Sequence, residues 1–236
     1  MLSSIKDVER QLKAGEYDFI DLGAGSGESM LFCQNSFGFK KGLGIDKSAS
    51  KQSKCNNNDV SILFANVFDV EIPPNCVRCC SMMDFLEHLP NITTAEQILA
   101  RAGVASSEFL FIRHPSFEDI DYLADHGLKL DWTDWTGHKN MMTLNDFIVL
   151  FEKYGWHQYT IIPRNQIIDS THRKIIPFNA PSDTVGYDIE KHGAKALVYF
   201  NKFIWSQFDI FVKLNERMSH DKWVKIIQSN GFTYTN

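Results

Sequence analysis

Short apolar blocks and helically spaced segments alternate along most of the 236-residue chain. The blocks are nearly continuous, which is how strands read when both faces of a sheet are covered. Seven of them predict strands: Tyr17 to Leu22, Lys41 to Ile45 ending at Asp46, Val60 to Ala65, Val77 to Met83, Phe109 to Ile112, Trp156 to Ile162 and Phe208 to Leu214. Between them, Gly27 to Asn35 continues as a helix, a short helix follows from Ser48, and Thr93 to Ala105 reads as a helix with a Thr at its N-cap. Thr143 to Tyr154 puts Leu144, Phe147, Ile148 and Phe151 on one helical face and stops at Gly155. Arg113-His114-Pro115 reads as the end of the fifth strand. Strands alternating with helices predict an α/β architecture, a mostly parallel seven-stranded sheet with helices on both faces.

Two stretches break the rhythm. Residues 116–142 mix aromatics and acids without a period, and residues 164–195 are polar and contain prolines. Long irregular segments of this kind are commonly working loops, so both are expected to be lid-like insertions. No internal repeat or low-complexity linker divides the chain, and the economical expectation is one domain over 1–236.

Composition narrows the function classes. Net charge is −5, from 24 basic and 29 acidic residues, without a long Lys/Arg block, which weighs against a nucleic-acid partner. No run reaches the ~18 apolar residues of a membrane span. The segment from Met1 to Glu16 is polar and mixed in charge, so a cytoplasmic location is the expectation. Five unevenly spaced cysteines (Cys33, Cys55, Cys76, Cys79, Cys80) suit free thiols better than disulfides. Cys76-x-x-Cys79-Cys80 lacks a second Cys/His pair for zinc and leads into a strand, so it reads as core.

The chemistry gathers at strand ends. Asp21-Leu22-Gly23-Ala24-Gly25-Ser26-Gly27 is a glycine turn between a strand and a helix, spaced G-x-G-x-G rather than G-x-G-x-x-G. Asp46, at the tip of the next strand, can accept from both hydroxyls of a ribose. Together with Gly44-Ile45-Asp46, Asp84-Phe85-Leu86-Glu87-His88-Leu89-Pro90 and the run from Gly137 to Thr143, this turn resembles the class I S-adenosylmethionine-dependent methyltransferases. The penultimate run looks like the LEHL segment of small-molecule and glycan members. The resemblance extends over roughly Tyr17 to Ile162. It implies a Rossmann-like fold and S-adenosyl-L-methionine as cofactor. It further implies that Gly23, Ala24, Gly25 and Gly27 underlie the methionine part, with Asp21 near its ammonium. Asp46 would hold the ribose, with Lys47 also among the cofactor-binding residues, while Asn66 and Val67 would serve the adenine and Met82 and Met83 the sulfonium region. Asn66 stands where the family often has Asp; an amide oxygen still accepts.

His114, at the carboxyl end of a strand, and His138 lead as base candidates, followed by His88 and Glu87. The acceptor implied is a small molecule or sugar, methylated on oxygen; no metal is expected. Two alternatives stand beside this. Asp84, Glu87 and His88 could face one ion with a distant His114 or His138, as in a metal-dependent RNA 2′-O-methyltransferase. The fold could also serve as a non-catalytic binding module. Trp132, Trp135, Tyr187 and Trp205 are candidates for an acceptor wall, and Arg164, Arg173 and Lys174 for an anionic acceptor; core and solvated loop are the plainer readings.

Overall fold

The computed structural model describes residues 4–48, 59–182 and 187–229. In chain order the elements are α1 (Ile5–Lys13), β1 (Phe19–Leu22), α2 (Glu28–Phe37), β2 (Gly42–Asp46), β3 (Val60–Phe64), β4 (Val77–Met83), α3 (Ile92–Ala105), β5 (Ser106–Pro115), α4 (Ile120–Asp125) and β6 (Leu128–Leu130). There follow α5 (Leu144–Lys153), β7 (Tyr159–Asp169), β8 (Ile175–Pro177), α6 (Ile189–His192), β9 (Tyr199–Lys213) and α7 (His220–Gln228). The main sheet has the order β3-β2-β1-β4-β5-β9-β7. β1 to β5 pair in parallel, and β9 inserts antiparallel between β5 and β7. This is the mostly parallel seven-stranded sheet that the alternating blocks predict, in the Rossmann-like form that the resemblance implies.

Both faces are covered, and the strand period of two sorts the side chains between them. Ile20 and Leu22 of β1, Cys80 and Met82 of β4, and Leu110 and Ile112 of β5 join the buried cluster that includes α1, α3 and α5. Their neighbours Phe19, Cys79, Phe109 and Phe111 face α2 and α7 instead. That second face is rich in phenylalanine: Phe37 alone lies 5.2 Å from Phe111 and 5.3 Å from Phe109, edge-on to both.

Several elements differ from the sequence expectation. The long helix after β4 is capped by Asn91, whose Oδ1 accepts from the Thr94 N–H at 2.9 Å, and not by Thr93. β5 does not stop at Arg113 but runs to Pro115, because β9 pairs along it and Asp209 lies directly opposite Arg113. β7 and β9 extend to Asp169 and from Tyr199, well beyond the apolar blocks that mark them. The helices α1 and α7 were not expected; each buries two apolar residues, Val8 and Leu12 in one and Trp223 and Ile227 in the other. The expected helix from Ser48 falls on residues outside those described, as does Cys55.

The two irregular stretches are also more ordered than their composition suggests. β6 from the first pairs antiparallel with β8 from the second. They share a small core of Leu123, Leu128, Leu130 and Ile175 with Ile167 and Ile204 of the extended β7 and β9. Among the described residues, no helix is long and apolar enough to cross a membrane.

Candidate functional site

The strand order reverses between β1 and β4, and the carboxyl ends of the strands there open a crevice. Its first wall is the glycine turn. Gly23, Gly25 and Gly27 all have left-handed backbones, with φ of 79°, 53° and 90°. Gly23 is further constrained: a Cβ there would stand 2.3 Å from the Phe85 ring, which lies across the turn. The second wall is Asp46. One of its oxygens accepts from the Gly25 N–H at 2.8 Å and the other from the Ser48 N–H at 2.7 Å. These bonds fix the carboxylate, and each oxygen keeps a further lone pair.

A cleft of about 500 Å³ opens from these walls. Gly23, Asp46, Lys47, Asn66 and Val67 line it, as do Asp84, Phe85, His88 and Trp135. Asn66 uses Oδ1 to cap the short turn after β3, accepting from the Phe68 N–H at 3.1 Å. Asp84 holds a left-handed φ of 48°, an uncommon and strained conformation for a residue with a Cβ. Gln207 donates to its carboxylate at 2.8 Å. Burial, then the nearby Glu87, raises the Asp84 pKa.

Not every expected residue reaches the cleft. Asp21 lies beneath the turn, 1% exposed, and accepts from the hydroxyls of Ser29 and Ser81. Burial pushes its pKa up to about 6, against the opposing pull of those two hydroxyls. Ala24 and Met82 are packed in the two core clusters, and Met83 packs beside them. Gly25 and Gly27 shape the turn and the start of α2 without lining the cleft. Of the four aromatics expected as an acceptor wall, only Trp135 lines it. Trp132 packs on the small core, Trp205 on the main one, and the Tyr187 hydroxyl donates to the Gly193 carbonyl. Arg164 pairs with Asp209 at 3.5 Å, and the Lys174 ammonium sits 4.8 Å above Trp132.

The four base candidates do come together. Glu87 and His114 are each 1% exposed, and Glu87 Oε2 lies 3.4 Å from His114 Nδ1. The contact is out of line for a hydrogen bond, so among the described residues Oε2 and both nitrogens of His114 are buried without a hydrogen-bond partner. His88 and His138 lie in front, with ring centres 5.0 Å apart and Trp135 edge-on to both. The segment carrying His138 docks on the LEHL run: the Asn140 N–H donates to the Glu87 carbonyl at 3.1 Å and its side-chain amide to that of Leu86 at 3.1 Å. His138 has a lowered pKa, chiefly through burial, and is therefore neutral near pH 7. Phe85, Ser29, Ser81 and Gln207 went unseen in the sequence. Their roles exist only through contacts with distant residues, and no spacing announces them.

No protein-family model matches the sequence, and no curated protein matches it either. Solved structures do resemble the fold. A SAM-dependent methyltransferase from Archaeoglobus fulgidus superposes with a TM-score of 0.57 at 16% identity, over 89% of this chain and 95% of that one. The YcgJ protein from Bacillus subtilis gives 0.56 at 12% identity, over 90% and 100%. At identities this low the likeness is one of fold, and that fold is the class I methyltransferase type.

Proposed function

We propose that this chain is an S-adenosylmethionine-dependent methyltransferase that methylates a hydroxyl of a small-molecule or sugar-type acceptor. The observation that carries the reading is the placement of Asp46 and the left-handed glycine turn on one cleft at the switch point of the sheet. A fixed carboxylate with spare lone pairs suits the two hydroxyls of a ribose, and a turn without side chains lets a ligand lie against the backbone. The cofactor supplies a methyl group already activated on a positive sulfur. The chain's own work is to align the acceptor and keep water out, for which Phe85 and Trp135 give apolar walls.

A hydroxyl acceptor must lose its proton as it is methylated. Glu87, His88, His114 and His138 supply the groups for that step. His88 lines the cleft, and His138, neutral at pH 7, stands beside it. His114 is enclosed and acts, in this reading, through Glu87.

Calorimetric titration with S-adenosylhomocysteine tests the cofactor half. The wild-type chain is expected to bind, and Asp46→Ala to weaken binding by ten-fold or more (about 1.4 kcal/mol or more). Absence of binding at millimolar ligand would leave the non-catalytic alternative standing. The acceptor half is read as a mass gain of one methyl across a panel of sugar nucleotides. His138→Ala is expected to lower turnover by about 10²-fold with cofactor affinity unchanged.

A further inference from the structure

Glu87, His88 and His138 bring one carboxylate oxygen and two ring nitrogens within 4.8 Å of one another. The two imidazoles are oriented alike. Nδ1 of His88 lies 3.0 Å from the Gly137 carbonyl oxygen, and Nδ1 of His138 lies 3.1 Å from that of Trp132. A carbonyl oxygen only accepts, so each Nδ1 donates, and in the neutral ring that tautomer leaves each Nε2 with a lone pair. Backbone carbonyls that hold one ring nitrogen in this way fix the tautomer and aim of metal-bound imidazoles.

Glu87 adds an independent observation. Its carboxylate is buried, and among the described residues its ion-pair partners are only the imidazoles of His88, at 3.9 Å, and His114, at 3.4 Å. Among the described residues Oε2 has no hydrogen-bond partner, and neither has either nitrogen of the His114 ring that faces it. A buried carboxylate oxygen left without a hydrogen bond, in a pocket walled by imidazole nitrogens, is a place for a cation. Asp84 does not belong to the set, which is Glu87, His88 and His138, and one of its oxygens accepts from Gln207.

We propose that Glu87, His88 and His138 hold one divalent first-row transition metal ion, with zinc the best match to two imidazoles and one carboxylate. Three protein ligands leave coordination positions open, and His88 places the ion at the wall of the cleft. The ion's binding does not depend on the methyl-transfer reading. Its use does rest on that reading: an open position would take the acceptor hydroxyl and make it more acidic, its proton leaving to solvent as the methyl group is transferred, so that His88 and His138 would serve the proton-loss step as ligands.

The test uses the full chain stripped with a chelator, titrated with Zn²⁺ by calorimetry and with Co²⁺ by visible absorbance. One equivalent is expected to bind, with a cobalt spectrum of nitrogen and oxygen ligands and no thiolate charge-transfer band. Glu87→Gln and His138→Ala are each expected to weaken Zn²⁺ binding by about 100-fold or more. Circular dichroism checks that each variant folds, and His138→Gln replaces His138→Ala if the latter does not. No binding at millimolar Zn²⁺, affinity unchanged in both variants, or a thiolate band lost in Cys76→Ser would each overturn the site. Titrating the same samples with S-adenosylhomocysteine separates the two claims: zinc without cofactor sinks methyl transfer alone, and cofactor without zinc sinks the metal site alone.

Discussion

Asp21 sets burial against charge more directly than any other residue of the turn. In an unfolded chain an aspartate gives up its proton near 3.8, whereas in the fold Asp21 keeps it until about 6. Between those values the folded state binds more protons than the unfolded one. Stability from this group is therefore highest below pH 4, falls as the pH rises to about 6, and is level above. The shift corresponds to about 3 kcal/mol. Asp21→Asn removes the dependence. Urea unfolding of both proteins from pH 4 to pH 7 is expected to show the wild type losing about that much relative to the variant, and parallel curves would show that another group titrates. The same residue marks how far local sequence reaches. Gly23, Gly25 and Asp46 are legible because backbone conformation and position after a strand are local properties. That Asp21 is clamped by Ser29 and Ser81, and lies under the turn instead of in the cleft, depends on a contact from β4 some 60 positions away.

At the scale of elements, existence was legible and ends were not. β4 has the limits that its apolar block predicts. β5 outruns its block because Arg113 and His114 look like loop residues until β9 is laid beside them. Arg113 donates to both oxygens of the fully buried Asp209, at 2.6 and 2.9 Å, and Arg164 approaches from β7. Removing the acid takes away the carboxylate that Arg113 holds with two hydrogen bonds between β5 and β9. Asp209→Ala is expected to cost about 3–5 kcal/mol in denaturant unfolding; a loss under 1 kcal/mol would show that the strand pairing holds without the charge. The cap of α3 is a gentler case. The sequence pattern points to Thr93 as the cap, but Asn91 makes the bond. Asn91→Ala is expected to lower the thermal midpoint by the equivalent of about 1 kcal/mol and Thr93→Ala by much less. The reverse order would restore the reading from sequence.

Across the whole molecule, the mostly parallel seven-stranded sheet and its two covered faces follow from the rhythm of blocks and helices, and the second small sheet does not. Its strands are three residues each and lie more than 40 positions apart. Strands that short carry no readable period. Because their core is separate from the two clusters of the main sheet, it is expected to open by itself. Ile175→Ala, at a fully buried position, is expected to cost about 2–5 kcal/mol locally. Hydrogen exchange is expected to quicken in β6 and β8 while β1, β4 and β5 stay protected. Uniform quickening would show one cooperative unit instead.

The docking of the 132–140 segment on the LEHL run has a thermodynamic corollary. Trp132 and Gly137 lend the carbonyls that orient the two imidazoles, His138 rides on the same segment, and Asn140 fastens it to Leu86 and Glu87. Any ligand that favours this arrangement of the imidazoles must bind the docked segment better than the detached one. By reciprocity, the ligand then tightens the segment by the same free energy. Affinity at the cleft and closure of its rim are in that sense one quantity, read from two ends.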